Sequence, residues 1–251
     1  EGCNHRMGTN LIAVIAEGKT GRIYCPPDEI QFKAAQIDEP EDAPNANLPE
    51  KALGFRIQAY GMTKWKELFT NRQLTALTTF SDLIKEVQKK VETDAVIAGM
   101  SNDHISLSNS GLGAKAYSEA VGVYLAFAID RLSDIGSTIA SWINSIGAIR
   151  NTFGRQAIPM TWDFAEGNPF SNSTGCFNNM VDWVVKCIDS FPLADFLAEA
   201  SQFDAQSDCG LRNIMISSDP PYYDNIDYAD LSDYFYIWLR RSLGETYSNL
   251  F

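Results

Sequence analysis

Residues 214–226 read Ile214-Met215-Ile216-Ser217-Ser218-Asp219-Pro220-Pro221-Tyr222-Tyr223-Asp224-Asn225-Ile226. A short apolar run comes first, two prolines stiffen the loop that follows, and residues 231–243 then show a helical apolar pattern. Strand, rigid loop and helix in this order are typical of the carboxyl edge of a parallel α/β sheet, where ligands bind. The stretch therefore predicts one corner of an α/β sheet with a site at its edge.

The tetrapeptide Asp219-Pro220-Pro221-Tyr222 suits the presentation of a planar amino group. Two prolines remove two backbone N–H donors and fix two φ angles, so the nearby carbonyls stay available as acceptors. The Asp219 carboxylate and the Pro220 carbonyl can then accept the two hydrogens of an exocyclic amine, which makes its nitrogen more nucleophilic. Tyr222 offers a face for a flipped base, with Tyr223 as a second aromatic ring. The alternative is a turn that only ends a strand, with Asp219 accepting local N–H bonds.

Outward from this motif, the apolar spacing divides the chain into three segments. Residues 1–66 are predicted to hold a β-hairpin over 8–25 and an exposed acidic connection over 28–50. Residues 67–200 are predicted to be mainly helical, and residues 201–251 to be the catalytic part. The predicted helices begin at a Thr70 and Gln73 capping box, cover 114–135 and 179–188, and end with 231–243, for which Asp230 is the expected N-cap.

Composition narrows the classes of function. The chain has 251 residues, of which 45% are hydrophobic and 12% aromatic, and this excludes a mainly disordered protein. No apolar stretch approaches the roughly 20 residues of a membrane span, so we predict no membrane partner. A net charge of −12 argues against a surface that binds nucleic acid everywhere, but not against one basic patch.

One such patch is suggested by residues 135–162, which contain no acidic residue but include Arg150 and Arg155. Both arginines are candidate phosphate contacts. Pairing with carboxylates elsewhere in the fold is the alternative.

The five cysteines are scattered and form no Cys-x-x-Cys pair. Neither a zinc ribbon nor a disulfide framework is indicated, and we predict no metal site. Reduced thiols are typical of a cytoplasmic protein.

The motif Asp219–Tyr222 resembles the catalytic motif of S-adenosylmethionine-dependent amino-methyltransferases. The longer runs 218–226, 228–233 and 238–241 resemble the large adenine-specific DNA methylases that carry a zinc-ribbon insertion. Residues 69–74 and 149–160 are also similar to that family, so the resemblance covers the chain from about Gly21 to its end.

The resemblance implies part of a Rossmann-like methyltransferase core with a largely helical insertion and an N-terminal β-hairpin. It implies S-adenosylmethionine as methyl donor, N6 of adenine in DNA as acceptor, and a setting in restriction-modification or defence. By position, Asp219 and Pro220 would orient the amine, Pro221 would shape the loop and Tyr222 would stack on the base. Asp204 would approach the cofactor, although an ordinary loop aspartate is the alternative there. The candidate substrate contacts are Tyr223, Arg150 and Arg155.

One departure from the family pattern is clear. The glycine-rich cofactor motif is absent, and Asn168-Pro169-Phe170 is followed by Ser171-Asn172 where the family has glycines. We therefore expect an internal fragment, inactive alone, whose upstream part carries the cofactor loop. The alternatives are a methyltransferase acting on RNA or on a protein amide, and a non-catalytic methylase-like domain that binds nucleic acid.

Because half of the cofactor pocket is missing from this sequence, the isolated chain is predicted to bind S-adenosylmethionine poorly or not at all. Isothermal titration calorimetry of the 251-residue chain measures this directly. A dissociation constant in the micromolar range would contradict the prediction.

Overall fold

The computed structural model describes residues 3, 7–173, 175–192, 200, 203–220 and 226–251. It is rich in helices and carries two small antiparallel sheets. The strands are β1 (Val14–Gly18), β2 (Gly21–Cys25), β3 (Trp142–Ile143) and β4 (Ala148–Ile149), and the α-helices are α1 (Glu29–Ala35), α2 (Asn71–Ile97), α3 (Ala114–Ile135), α4 (Phe177–Asp189) and α5 (Tyr228–Leu243). Short 3₁₀ helices cover Ile57–Tyr60, Trp65–Leu68 and Leu107–Asn109.

The N-terminal hairpin is confirmed, with β1 and β2 paired antiparallel and Val14 opposite Cys25. It lies on the second hairpin, formed by β3 and β4, because the Trp142 indole Nε1 donates a hydrogen bond of 3.3 Å to the Tyr24 hydroxyl. The acidic connection, predicted to be irregular, in fact contains α1. The Asp28 carboxylate accepts the Gln31 N–H at 2.7 Å, and the Gln31 side-chain oxygen accepts the Asp28 N–H. This capping box explains a short helix in so polar a segment.

Helices α2 and α3 form the central pair of the fold. The predicted capping box at Thr70 is present, with the Gln73 N–H donating to Thr70 Oγ1 at 3.2 Å. Leu74, Leu77 and Ile84 are at most 2% exposed, as their three- and four-residue spacing predicted. The bounds of α3 match the predicted range 114–135.

Helix α5 packs against both α2 and α3, and α4 covers another side of α3. The predicted N-cap of α5 was wrong, since the cap is Asp227 and Asp230 lies in the first turn. The helix therefore begins three residues earlier than predicted, at Tyr228.

The predicted strand 214–216 was also wrong. Residues 203–220 carry no strand or helix, and Met215 is 96% exposed. A parallel strand forms only beside another strand, because its N–H and C=O groups need partners. The strands of the described residues pair in two separate hairpins, and no Rossmann-like sheet is present among them.

One core cluster draws on all three sequence segments, from Ala43 to Leu243. At its centre, aromatic rings from three parts of the chain meet around Tyr234: Trp65 and Phe69, Phe153, and the α5 residues Phe235 and Trp238. The acidic connection is attached to this core by Arg241, whose guanidinium binds the carboxylates of Asp42 and Asp82. None of the helices in the described ranges is long and apolar enough to cross a membrane.

Asp130 on α3 is a largely buried carboxylate. Its Oδ1 has no hydrogen-bond partner among the described residues, and burial raises the pKa of Asp130 to about 8. The unfolded chain releases this proton near pH 4, whereas the folded chain keeps it up to about pH 8. Stability from this group is therefore complete below pH 4 and is lost as the pH rises toward 8.

We predict that Asp130→Asn flattens this pH dependence. Between pH 5 and pH 8 the free energy of unfolding of the parent chain should fall by up to roughly 1.4 kcal/mol per pH unit relative to the variant. Urea unfolding at several pH values measures the difference. Glu86→Gln, at an exposed position of α2, is the control. Equal pH profiles for the parent chain and Asp130→Asn would contradict the prediction.

Candidate functional site

The start of α5 lies beside a loop from the first segment of the chain. Asp227 makes no side-chain cap bond to α5; instead its Oδ2 accepts the backbone N–H of Leu53 at 2.7 Å. Gly54 in turn lies against Ala157. These contacts bring residues 52–57, 150–158 and 226–235 to one surface.

A concave site of about 570 Å³ opens on this surface, and we call it the α5 pocket. Its floor is aromatic and aliphatic, and its edge carries a guanidinium, an amide and a hydroxyl. The lining residues are Phe153, Arg155, Gln156, Tyr228, Leu231, Ser232 and Phe235. An apolar cavity with a few polar groups at its edge is the usual form of a ligand site.

Asp134, near the end of α3, organises the loop that forms one wall. Its carboxylate accepts the Asn151 side-chain amide at 2.6 Å and the Phe153 N–H at 3.1 Å, and its carbonyl accepts the Thr152 N–H at 2.6 Å. Phe153 is thereby held with its ring centroid 5.0 Å from that of Tyr234 and 5.3 Å from that of Phe235. The wall therefore exists before any ligand arrives, which lowers the entropy cost of binding.

Arg150 and Arg155, the predicted phosphate contacts, both project from this loop and are exposed. Neither guanidinium has a carboxylate partner among the described residues, so the alternative of internal ion pairs finds no support there. The stem of Arg150 passes over Gly154, with its Cδ 3.3 Å from where a Cβ would lie at that position. Arg155 lines the α5 pocket, whereas Arg150, five residues earlier in the sequence, is not among the lining residues.

The start of α5 is acidic, because Asp227, Asp230 and Asp233 lie in or next to its first turns, outside the pocket lining. Desolvation, followed by the charges of Asp227 and Asp233, raises the pKa of Asp230 above its usual range. Carboxylates are favoured at a helix N-terminus by the helix dipole. The charged group of the pocket lining is the Arg155 guanidinium, which suits an anion such as phosphate.

The motif itself is described only in part. Asp219 and Pro220 are exposed, and no described group hydrogen-bonds to the Asp219 carboxylate. Pro221, Tyr222 and Tyr223 lie outside the described residues. Their predicted roles stay predictions, although α5 and its pocket begin three residues after that gap.

Asp204, the predicted cofactor contact, lies in an exposed local turn. Its Oδ1 accepts the Gln206 N–H at 2.9 Å, and its carbonyl accepts the Ser207 N–H at 2.9 Å. A cofactor role for Asp204 stays a prediction. In the described ranges, no three His, Cys, Asp or Glu side chains come together as metal ligands.

Sequence reasoning named Arg155 but missed the other residues of the pocket. Four of these residues lie in runs that resemble the methylase family, but the spacing of residues alone did not predict a role for them: Phe153, Gln156, Tyr228 and Ser232. The signal that could have found them is the acid-free stretch facing the aromatic side of α5.

Comparisons of this chain with protein-family models, curated proteins and solved structures found no match.

We predict that Arg150→Gln and Arg155→Gln each weaken duplex DNA binding about equally for all sequences. Each change should lower the slope of log K against log salt concentration by about 0.9 if that arginine neutralises one phosphate. Fluorescence anisotropy with labelled duplexes between 50 and 200 mM salt measures the slope. Lys90→Gln on α2, where the ammonium is paired with Asp94, is the control. An unchanged slope would remove that arginine from the interface.

Proposed function

We propose that this chain carries the acceptor side of an S-adenosylmethionine-dependent methyltransferase that modifies the N6 amino group of adenine in DNA. The observation that carries the proposal is the α5 pocket, an aromatic cavity edged by Arg155. One side of its lining comes from α5, the helix that follows the Asp219–Tyr222 motif in the sequence. Aromatic walls suit a planar base, and a guanidinium at the rim suits its phosphate.

In the proposed reaction this chain binds and orients the amine. The Asp219 carboxylate and the Pro220 carbonyl would each accept one N6 hydrogen, which draws the nitrogen lone pair away from the purine ring and toward the incoming methyl group. The rigid Pro220-Pro221 backbone would keep both acceptors in place without reorganisation. Bound S-adenosylmethionine would supply the electrophilic methyl group.

The residues present do not fit the cofactor itself. The sequence has no glycine-rich loop, and the Asp204 carboxylate is engaged with the backbone of its own turn. We therefore propose that residues of a longer protein hold the cofactor.

The exposed apolar run 214–216 supports the same proposal. Met215 and Ile216 are 96% and 79% exposed, an unusual state for consecutive large apolar side chains. A strand at this position would bury them against a neighbouring strand that the described residues do not supply. A Rossmann-like sheet completed by other parts of the protein would account for this segment.

The experiment is mass spectrometry of DNA from cells that express the complete reading frame encoding this chain. We expect N6-methyladenine in the DNA, and we expect Asp219→Ala to abolish it, because the amine then loses a hydrogen-bond acceptor. Asp208→Asn, at an exposed carboxylate in the same segment, is the matched control and should leave methylation intact.

DNA without N6-methyladenine would overturn the proposal. Methylated RNA or methylated glutamine in the same cells, lost with Asp219→Ala, would identify the acceptor as RNA or a protein amide. A biological effect that survives Asp219→Ala without methylation would favour the non-catalytic alternative.

A further inference from the structure

The two longest stretches of this acidic chain without an acidic residue are 51–66 and 135–162. Together they hold six basic residues, whereas the remainder of the chain has a net charge of −18. The two stretches therefore carry net positive charge in an otherwise acidic chain. They lie far apart in the sequence, so only the fold can bring them together.

They do meet, as neighbouring segments of one surface. The Arg56 N–H donates to the Ile158 carbonyl at 3.0 Å. Gly54, at φ +81°, approaches so closely that a Cβ there would lie 3.0 Å from Ala157 Cβ. Such a close approach in a left-handed conformation favours glycine, so this contact between the stretches depends on Gly54.

Three cations of this surface are available to a ligand. The Arg56, Arg150 and Arg155 side chains are exposed, and none has a hydrogen bond or an ion pair within the described ranges. Of the three other basic side chains in the two stretches, Lys64 donates to Asn45, Lys66 pairs with Glu39, and Lys51 is exposed at the beginning of the first stretch.

The two stretches also carry an aromatic pair, one ring from each. The Tyr60 and Trp162 rings pack edge to face with centroids 5.3 Å apart, and Trp162 stays 67% exposed. The backbone around Trp162 is held in place, because Thr161 Oγ1 donates to the Ile139 carbonyl at 3.1 Å and Phe164 forms a bridge with Ser141. The indole is thus an exposed ring on a supported segment.

We propose that Arg56, Arg150, Arg155, Tyr60 and Trp162, the arginine–tryptophan surface, bind a DNA strand with an unstacked base against Trp162. Arginine guanidinium groups suit phosphate, and an exposed indole face suits a base, whatever its identity. An acidic protein segment would use the arginines but would gain little from the ring. Asp163 and Glu50 flank the two stretches and limit the cationic area to this surface.

This inference takes from the proposed function only that DNA is the partner. It adds a contact surface that shares Arg155 with the α5 pocket and extends beyond it, and that would hold the strand beside the base to be modified. It requires neither cofactor nor methyl transfer, so its test can fail independently of the methylation experiment.

The test is fluorescence anisotropy of the chain with a labelled single-stranded 12-mer, without cofactor. Trp162→Leu should weaken binding by about 5- to 150-fold, the loss expected for one stacked base, and should leave the salt slope unchanged. Arg56→Gln should lower that slope by about 0.7. Trp162→Phe, which keeps a ring, should recover most of the affinity, and Phe170→Leu, at another exposed aromatic residue, is the matched control.

Equal affinity of the parent chain and Trp162→Leu would overturn the proposal, as would a poly-glutamate peptide binding as tightly as the DNA. Thermal unfolding of each variant shows whether its fold is retained, and Trp162→Phe provides the second measurement should Trp162→Leu be unstable. An RNA 12-mer of the same sequence separates the two nucleic acids. Preference for RNA would overturn the assignment to DNA.

Discussion

The Tyr234 hydroxyl joins α5 to the end of α3 in the centre of the core. Tyr234 is 0% exposed, and its Oη donates a hydrogen bond of 2.7 Å to the Ser133 carbonyl in the last turn of α3. Carbonyls at the end of a helix lack the partners they would have within it, and this bond adds a second donor to an acceptor that otherwise receives only the Gly136 N–H at 3.2 Å. The Tyr234 ring meanwhile contacts aromatic side chains from two other parts of the chain, 65–69 and the loop that carries Phe153. Removing the hydroxyl would leave that carbonyl without this donor at the centre of the core.

The candidate site is built on this centre. Phe153 and Phe235 lie between the Tyr234 ring and solvent, so they are both the outer layer of the core and the floor of the α5 pocket. Asp134, next to Ser133 on α3, holds the loop that carries Arg155. The same end of α3 therefore closes the core and positions the cationic edge. A ligand there would meet a rigid floor, which favours binding without rearrangement.

Charge segregation gives the molecule its second organising feature. An overall charge of −12 would repel DNA at long range, yet the two acid-free stretches lie side by side and leave three arginines without carboxylate partners in the described part of the chain. Three other arginines form ion pairs that stabilise the fold or a local turn: Arg72 binds Glu166, Arg212 binds Asp208, and Arg241 binds Asp42 and Asp82.

The sequence by itself determined the local elements: the N-terminal hairpin, the capping box of α2, the bounds of α3 and the apolar face of α5. These features depend on residues close together in the chain, through turn chemistry, side-chain caps and 3.6-residue periodicity. Only the tertiary structure decided that Arg155, Gln156 and Tyr228 share a pocket, that Arg56 lies beside Ile158, and that 214–216 stays unpaired. Such contacts join residues tens of positions apart, and whether a strand forms depends on a neighbouring strand that its own sequence does not specify.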